Sequence, residues 1–159
     1  MPFELVALLF AAPAHAEEAE VSPVYMWVGV GTTAAYVPNA GPASGPLGDI
    51  SPSLAVGYFL SETVSVELSA GMTFLVDGGY ALTGLGPSIV WAATPNVYLA
   101  GRVFVPVHPD VNVIVMPSAG ITQVFGSVAP FLELGVGSAV GRGEPDLAIA
   151  PSAGITYLF

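Results

Sequence analysis

Cysteine is absent from the chain, lysine is absent, and arginine occurs only twice, at Arg102 and Arg142. Without cysteine there is neither a disulfide framework nor thiol chemistry. Two cations stand against twelve acids, a net charge of −10 at neutral pH. No basic surface is left to follow a phosphate backbone, so nucleic-acid binding is excluded. The same acidity repels the phosphates of an anionic membrane surface unless divalent cations bridge the two. Long apolar runs are also missing. The chain is 53% hydrophobic and 9% charged, with a mean hydropathy of +0.74, yet no uninterrupted stretch reaches the roughly 20 residues of a membrane helix. Nineteen Gly and fifteen Pro are spread through it, which argues further against long helices. Such apolarity without a spanning helix leaves a large soluble β core or a transmembrane barrel. At 159 residues the chain is one domain.

What is present begins with an export signal. Residues 1–16 carry a short apolar core, Leu5–Ala12, and an A-x-A cleavage site, Ala14-His15-Ala16, before acidic Glu17-Glu18. That is the layout of a secretory signal peptide, although the start carries Glu4 and no basic residue. Residues 17–23 then read as a short N-terminal periplasmic segment. From Val24 the chain is a series of strand-like runs. The sharpest, Val64–Phe74, alternates strictly over eleven residues, with Val64, Val66, Leu68, Ala70, Met72 and Phe74 on one face. Eleven residues is the length of one tilted membrane strand.

A Pro-Ser pair recurs at Pro52-Ser53, Pro87-Ser88, Pro117-Ser118 and Pro151-Ser152. Each of the first three is followed by a strand, a tight turn and another strand. The turns fall near 61–63, 94–96 and 126–127, and the fourth copy runs to Phe159. With one leading strand, Val24–Tyr36, this makes eight. The prolines are expected at strand starts beside the longer connections, because an interior proline breaks a ladder. The longer connections fall near 38–49, 76–79, 108–111 and 141–146.

The signal, the eight-strand meander and a last strand ending Ile155-Thr-Tyr157-Leu-Phe159 resemble the small outer-membrane β-barrels of Gram-negative bacteria, such as the transmembrane part of OmpA, OmpX and OmpW. The resemblance covers residues 24–159. It implies an all-β, eight-stranded antiparallel up-and-down transmembrane β-barrel with short periplasmic turns. It also implies that Ile155, Tyr157 and Phe159 form the signal read by the barrel-assembly machinery. Outer-membrane lipids and lipopolysaccharide would be the surroundings, and the barrel is expected to be monomeric.

Face assignment agrees with an inside-out barrel. Leu54, Val56 and Tyr58, then Val97, Leu99, Val103 and Val105, then Leu132, Leu134 and Val136 form a continuous apolar face suited to lipid. The opposite face, rich in Gly, Ala and Ser, is expected to line the lumen. Tyr58, Trp91, Phe125, Tyr157 and Phe159 gather toward the short turns, as an interfacial girdle does. Among inward positions, Glu67, Arg102 and Glu133 lie at similar depth on alternate strands. A charge facing lipid there would cost several kcal/mol, so all three are expected to point inward as a Glu-Arg-Glu network. Gly29, Gly31, Ala55, Gly57, Gly71, Gly120 and Gly137 are expected to leave some space around it.

Two chemistries find little support. Asp49, Asp77, Asp110, Glu144 and Asp146 lie in the longer connections, where Ca²⁺ or Mg²⁺ could link them to lipopolysaccharide phosphates. Their spacing makes no dedicated metal site, and acids are ordinary turn residues. His108 with Asp110 could suggest a lipid-modifying enzyme, but no nucleophile motif accompanies it. No cofactor and no catalytic residue are expected. The function expected is a structural or weakly conducting, porin-like outer-membrane barrel braced across its lumen. An OmpW-like channel for small hydrophobic solutes ranks second.

Overall fold

The eleven alternating residues Val64–Phe74 form a strand over their full length, and the rest of the chain repeats the pattern. The computed structural model describes residues 22–32, 35–37, 50–74, 80–106, 113–140 and 147–159. The signal segment 1–16, most of 17–23 and the longer connections lie outside the described residues. So do Asp49, Asp77, His108, Asp110, Glu144 and Asp146. The strands are β1 (Val24–Gly31), β2 (Ala35–Val37), β3 (Ser51–Phe59), β4 (Val64–Phe74), β5 (Tyr80–Thr94), β6 (Val97–Pro106), β7 (Val113–Thr122), β8 (Val128–Val140) and β9 (Leu147–Leu158).

β1 and β2 lie end to end against β9, from Tyr25↔Leu158 to Val37↔Leu147, and so form one stave. Eight antiparallel staves result. β1 pairs with β3 on one side and β9 on the other, so the sheet closes without an edge. Closure lets each backbone amide find a partner inside the sheet, which a lipid environment demands.

Short turns join the staves at one end. At Phe125–Val128 the two backbone bonds are 2.7 and 3.2 Å. Gly126 has φ of 63° and no non-glycine residue among those described has positive φ. Only the first central residue is left-handed, the arrangement of a type II′ hairpin, which a Cβ would strain. At the other two turns a hydroxyl replaces glycine. Ser61 Oγ accepts from the Val64 amide at 3.1 Å, and Thr94 Oγ1 from the Val97 amide at 3.1 Å.

The prolines depart from expectation. Pro52 does begin a strand, but Pro87, Pro117 and Pro151 lie well inside β5, β7 and β9. Each keeps its partner on one neighbour, Leu68, Gly101 and Leu134 respectively. On the other side the pairing lapses. β5–β6 skips from Leu85↔Val105 to Ser88↔Arg102, and β7–β8 from Val115↔Ser138 to Ser118↔Gly135. At Pro151, β9 passes from β1 to β2. A stave with two neighbours survives losing one donor on one side. Pro87 and Pro117 are exposed on the outer face, and the serine after each is buried.

Among the described residues the outer face is mainly apolar. Leu54, Leu68, Ile89, Ile121, Leu132 and Ile155 are each 51–59% exposed, and among the described residues they belong to a set of thirty exposed large hydrophobics. Water would not tolerate so continuous an apolar belt on a monomer. The interior also holds more than small and polar residues. Tyr25, Trp27, Ala55 and Phe131 form a buried cluster, with Phe59, Tyr98 and Leu158 packed against it.

Candidate functional site: the charged tier of the lumen

Register brings the charges together. Glu67 on β4 pairs with Ser88 on β5, and Ser88 pairs with Arg102 on β6. Glu133 on β8 stands across the lumen. Arg102 spans the gap. Its Nε and Nη2 donate to the two oxygens of Glu133 at 2.8 and 2.7 Å, a bidentate pair. Its Nη1 donates to Glu67 Oε2 at 2.6 Å and to Ser88 Oγ at 3.3 Å. The Arg102 side chain is 12% exposed and each glutamate side chain 4%. Such charge-assisted bonds are among the stronger ones available, and burial makes the pairing obligatory.

Two tyrosines complete the carboxylates, and the alternation of a single strand does not single out either. Tyr25 Oη donates to Glu67 Oε1 at 2.8 Å. Its one proton is thereby used, so the 2.7 Å bond with Ser65 Oγ has serine as donor. Tyr98 Oη donates to Glu133 Oε2 at 2.8 Å. Each ring lies over a glycine on the next stave. A Cβ at Gly57 would fall within the Tyr25 ring, and one at Gly120 within the Tyr98 ring. Gly57 and Gly120 therefore do not leave lumen space, as their size alone suggested; the tyrosines occupy it. The paired rows Tyr25–Gly57–Glu67–Ser88 and Tyr98–Gly120–Glu133–Ser152 are equivalent, four staves apart.

Aromatic rings seal the tier. The Arg102 Cζ stands 5.3 Å from the centroid of the Trp27 ring. Trp27 meets Phe131 edge to face at 5.7 Å, and Tyr25 meets Phe59 at 4.7 Å. The lumen divides at this level. A cavity of about 70 Å³ lies on the short-turn side, by Phe59, Thr63 and Val124. One of about 260 Å³ lies on the side of the longer connections, by Gly31, Ser51 and Ile114. Trp27, Arg102 and Phe131 line both, so they form the wall between.

Glu67, Arg102 and Glu133 share one set of hydrogen bonds. Tyr98 shares its strand parity with Arg102, and Phe131 with Glu133, so both could have been placed inside. Ile155, Tyr157 and Phe159 are elsewhere. They project outward at the end of β9, 51, 48 and 55% exposed, with the two rings edge to face at 5.0 Å. Among the described residues no three His, Cys, Asp or Glu stand together as a metal site. Both lumen carboxylates are already engaged by Arg102 and a tyrosine.

No protein-family model and no curated protein matches the chain. Solved structures do. A de novo designed transmembrane β-barrel aligns over 90% of this chain and 100% of its own, at 14% identity and TM-score 0.51. EF1p2_mFAP2b, solved bound to DFHBI, aligns over 96% and 95%, at 13% identity and TM-score 0.56. The N-terminal β-barrel domain of Pseudomonas aeruginosa OprF aligns over 87% and 100%, at 14% identity and TM-score 0.43. At these identities the likeness speaks for the fold alone. That fold is the eight-stranded, closed, antiparallel β-barrel.

Proposed function

We propose that the chain is a bacterial outer-membrane barrel, monomeric, whose lumen is braced and closed by the Glu67–Arg102–Glu133 tier. The carrying observation is one guanidinium bound to both buried carboxylates, in a wall that separates two cavities. The apolar outer belt supports insertion in lipid, and among the described strand residues no charged side chain is exposed on it. In this reading the short turns face the periplasm and the longer connections face out. The assembly machinery recognises β9 through Ile155, Tyr157 and Phe159. The role is structural, with at most weak conduction, and no residue is assigned a catalytic part.

A planar-bilayer recording tests the brace. The refolded protein is expected to give no discrete openings, because ions meet a wall at Arg102. Steady openings from the unmodified chain would overturn the closure. Openings that appear only in Arg102→Ala would make the brace a gate. The OmpW-like reading, a path for small hydrophobic solutes, is favoured by one observation, the cavity of about 260 Å³. Its floor is closed by the same tier, so it serves binding better than passage.

A further inference from the structure

Each proline removes one backbone donor, and the side on which it is lost can be read. Along an antiparallel strand the backbone bonds alternate between the two neighbours. Ala92 N donates to Thr63 O, Thr122 N to Asn96 O and Leu158 N to Ser127 O. Even-numbered residues of β5, β7 and β9 therefore bond to the preceding stave, and odd-numbered ones to the next. The donors missing at Pro87, Pro117 and Pro151 fall on the side of β6, β8 and β1, where the pairing lapses. Pro52 does the same to β4, between Ser53↔Gly71 and Ile50↔Phe74. The wall is thus four panels of two staves. Within each panel the ladder passes its proline unbroken, at Val30↔Pro52, Leu68↔Pro87, Gly101↔Pro117 and Leu134↔Pro151.

The side chains of the lumen follow the same division. Within panels, rings lie on glycines: Tyr25 on Gly57, Tyr98 on Gly120 and Phe131 on Gly154. Between panels run the hydrogen bonds of the charged tier. Tyr25 reaches from β1 to Ser65 and Glu67 on β4, and Tyr98 from β6 to Glu133 on β8. Arg102 on β6 reaches Glu67, Ser88 and Glu133. The tier also stands at the level of the breaks. Pro87 precedes Ser88 and Pro117 follows Met116, and both Ser88 and Met116 pair with Arg102. Panel β6–β7 is the one that Arg102 ties on both flanks, to β4–β5 through Glu67 and Ser88 and to β8–β9 through Glu133.

We infer that the β6–β7 hairpin is a wall panel that moves as a unit, and that Arg102 is its latch, standing in for the rungs that Pro87 and Pro117 remove. On opening, Phe104 leaves its place over Gly84 and Met116 its place over Gly135, the two glycines it covers on the flanking staves. The inference rests on the tier being a brace. Urea unfolding reports on the brace and the pattern of amide exchange on the panel, so the two fail separately.

Residue-resolved amide exchange by NMR, with the barrel in nanodiscs, reads the two kinds of ladder apart. By the alternation above, Leu85, Val105, Val115 and Ser138 bond across the flanks, and Ala100, Phe104 and Ile114 within the panel. The triple variant Glu67→Gln, Arg102→Met, Glu133→Gln removes the latch without leaving a buried charge. In it the flank amides are expected to exchange about tenfold faster or more, while Ala100, Phe104 and Ile114 keep their rates. Adding Pro87→Ala and Pro117→Ala returns two donors and is expected to slow the flanks again. The same two alanines in the unmodified barrel are expected to slow the flanks relative to the panel interior, which carries the test if the triple variant does not refold. Equal acceleration of flank and interior would mean that the hairpin frays, and would overturn the panel. Flank rates unchanged in a refolded triple variant would overturn the latch, and flanks that the alanines fail to slow would overturn the part given to the prolines.

Discussion

Removing the Arg102 guanidinium should damage the barrel more than removing the whole network. Arg102→Ala deletes four hydrogen bonds and leaves Glu67 and Glu133 as buried carboxylates, each with one tyrosine donor. Breaking a buried pair by removing one partner costs about 3–5 kcal/mol, most of it the uncompensated charge that remains. The triple variant Glu67→Gln, Arg102→Met, Glu133→Gln keeps the volume and removes every charge. Neutral replacements of a buried network are often close to neutral in stability. The tyrosine hydroxyls keep a partner in each glutamine carbonyl. Urea unfolding in phospholipid vesicles, followed by tryptophan fluorescence, should therefore rank the single variant well below the triple one. A loss under about 1 kcal/mol for Arg102→Ala, the range of an exposed pair, would refute the brace. So would a triple variant less stable than the single.

Other perturbations read other parts of the same structure. Tyr98→Phe takes one hydroxyl from Glu133 Oε2 and should cost about 1.5–3 kcal/mol in the same unfolding assay, as expected for a bond to a charged group. Gly57→Val sets a side chain inside the Tyr25 ring, so refolding yield should collapse on a gel-shift assay, while Gly71→Ala refolds normally. Leu134→Lys, at an outward position 53% exposed, should lose about 2–4 kcal/mol if that face meets lipid near the midplane. A soluble surface would gain solubility from the same change. Gly126→Val, at φ 63°, should cost about 1–3 kcal/mol through backbone strain in the hairpin.

Much of this fold is legible because a barrel wall has a period of two and nothing else. Val64–Phe74 declares its two faces outright, and Glu67, Arg102 and Glu133 inherit the inward direction by parity. What one strand cannot declare is its stagger against the next. The meeting of Tyr25 with Glu67, across the intervening Gly57, depends on two successive registers. An aromatic residue alone reads equally well as an interfacial anchor or a lumen filler, so the lumen role of Tyr25 and Tyr98 is not legible in their own strands, whereas Tyr58 and Tyr157 sit on a face that is apolar along its length. A glycine in a strand looks like empty space until the ring that covers it is known. The proline rule misled for a related reason. It treats the lost donor as fatal, whereas Pro87 and Pro117 interrupt one ladder and keep the other.

The inside-out arrangement can be read from the chain's two tryptophans. Trp91 lies on the outer face, 50% exposed, and Trp27 in the lumen, 9% exposed. With Trp27→Phe and Trp91→Phe each leaving one fluorophore, the barrel is refolded into vesicles of lipids brominated on the acyl chain. Trp91 emission should be strongly quenched and Trp27 emission almost untouched. Quenching of Trp27 equal to that of Trp91, or protection of both, would contradict a barrel that turns its apolar face to lipid and its charges inward.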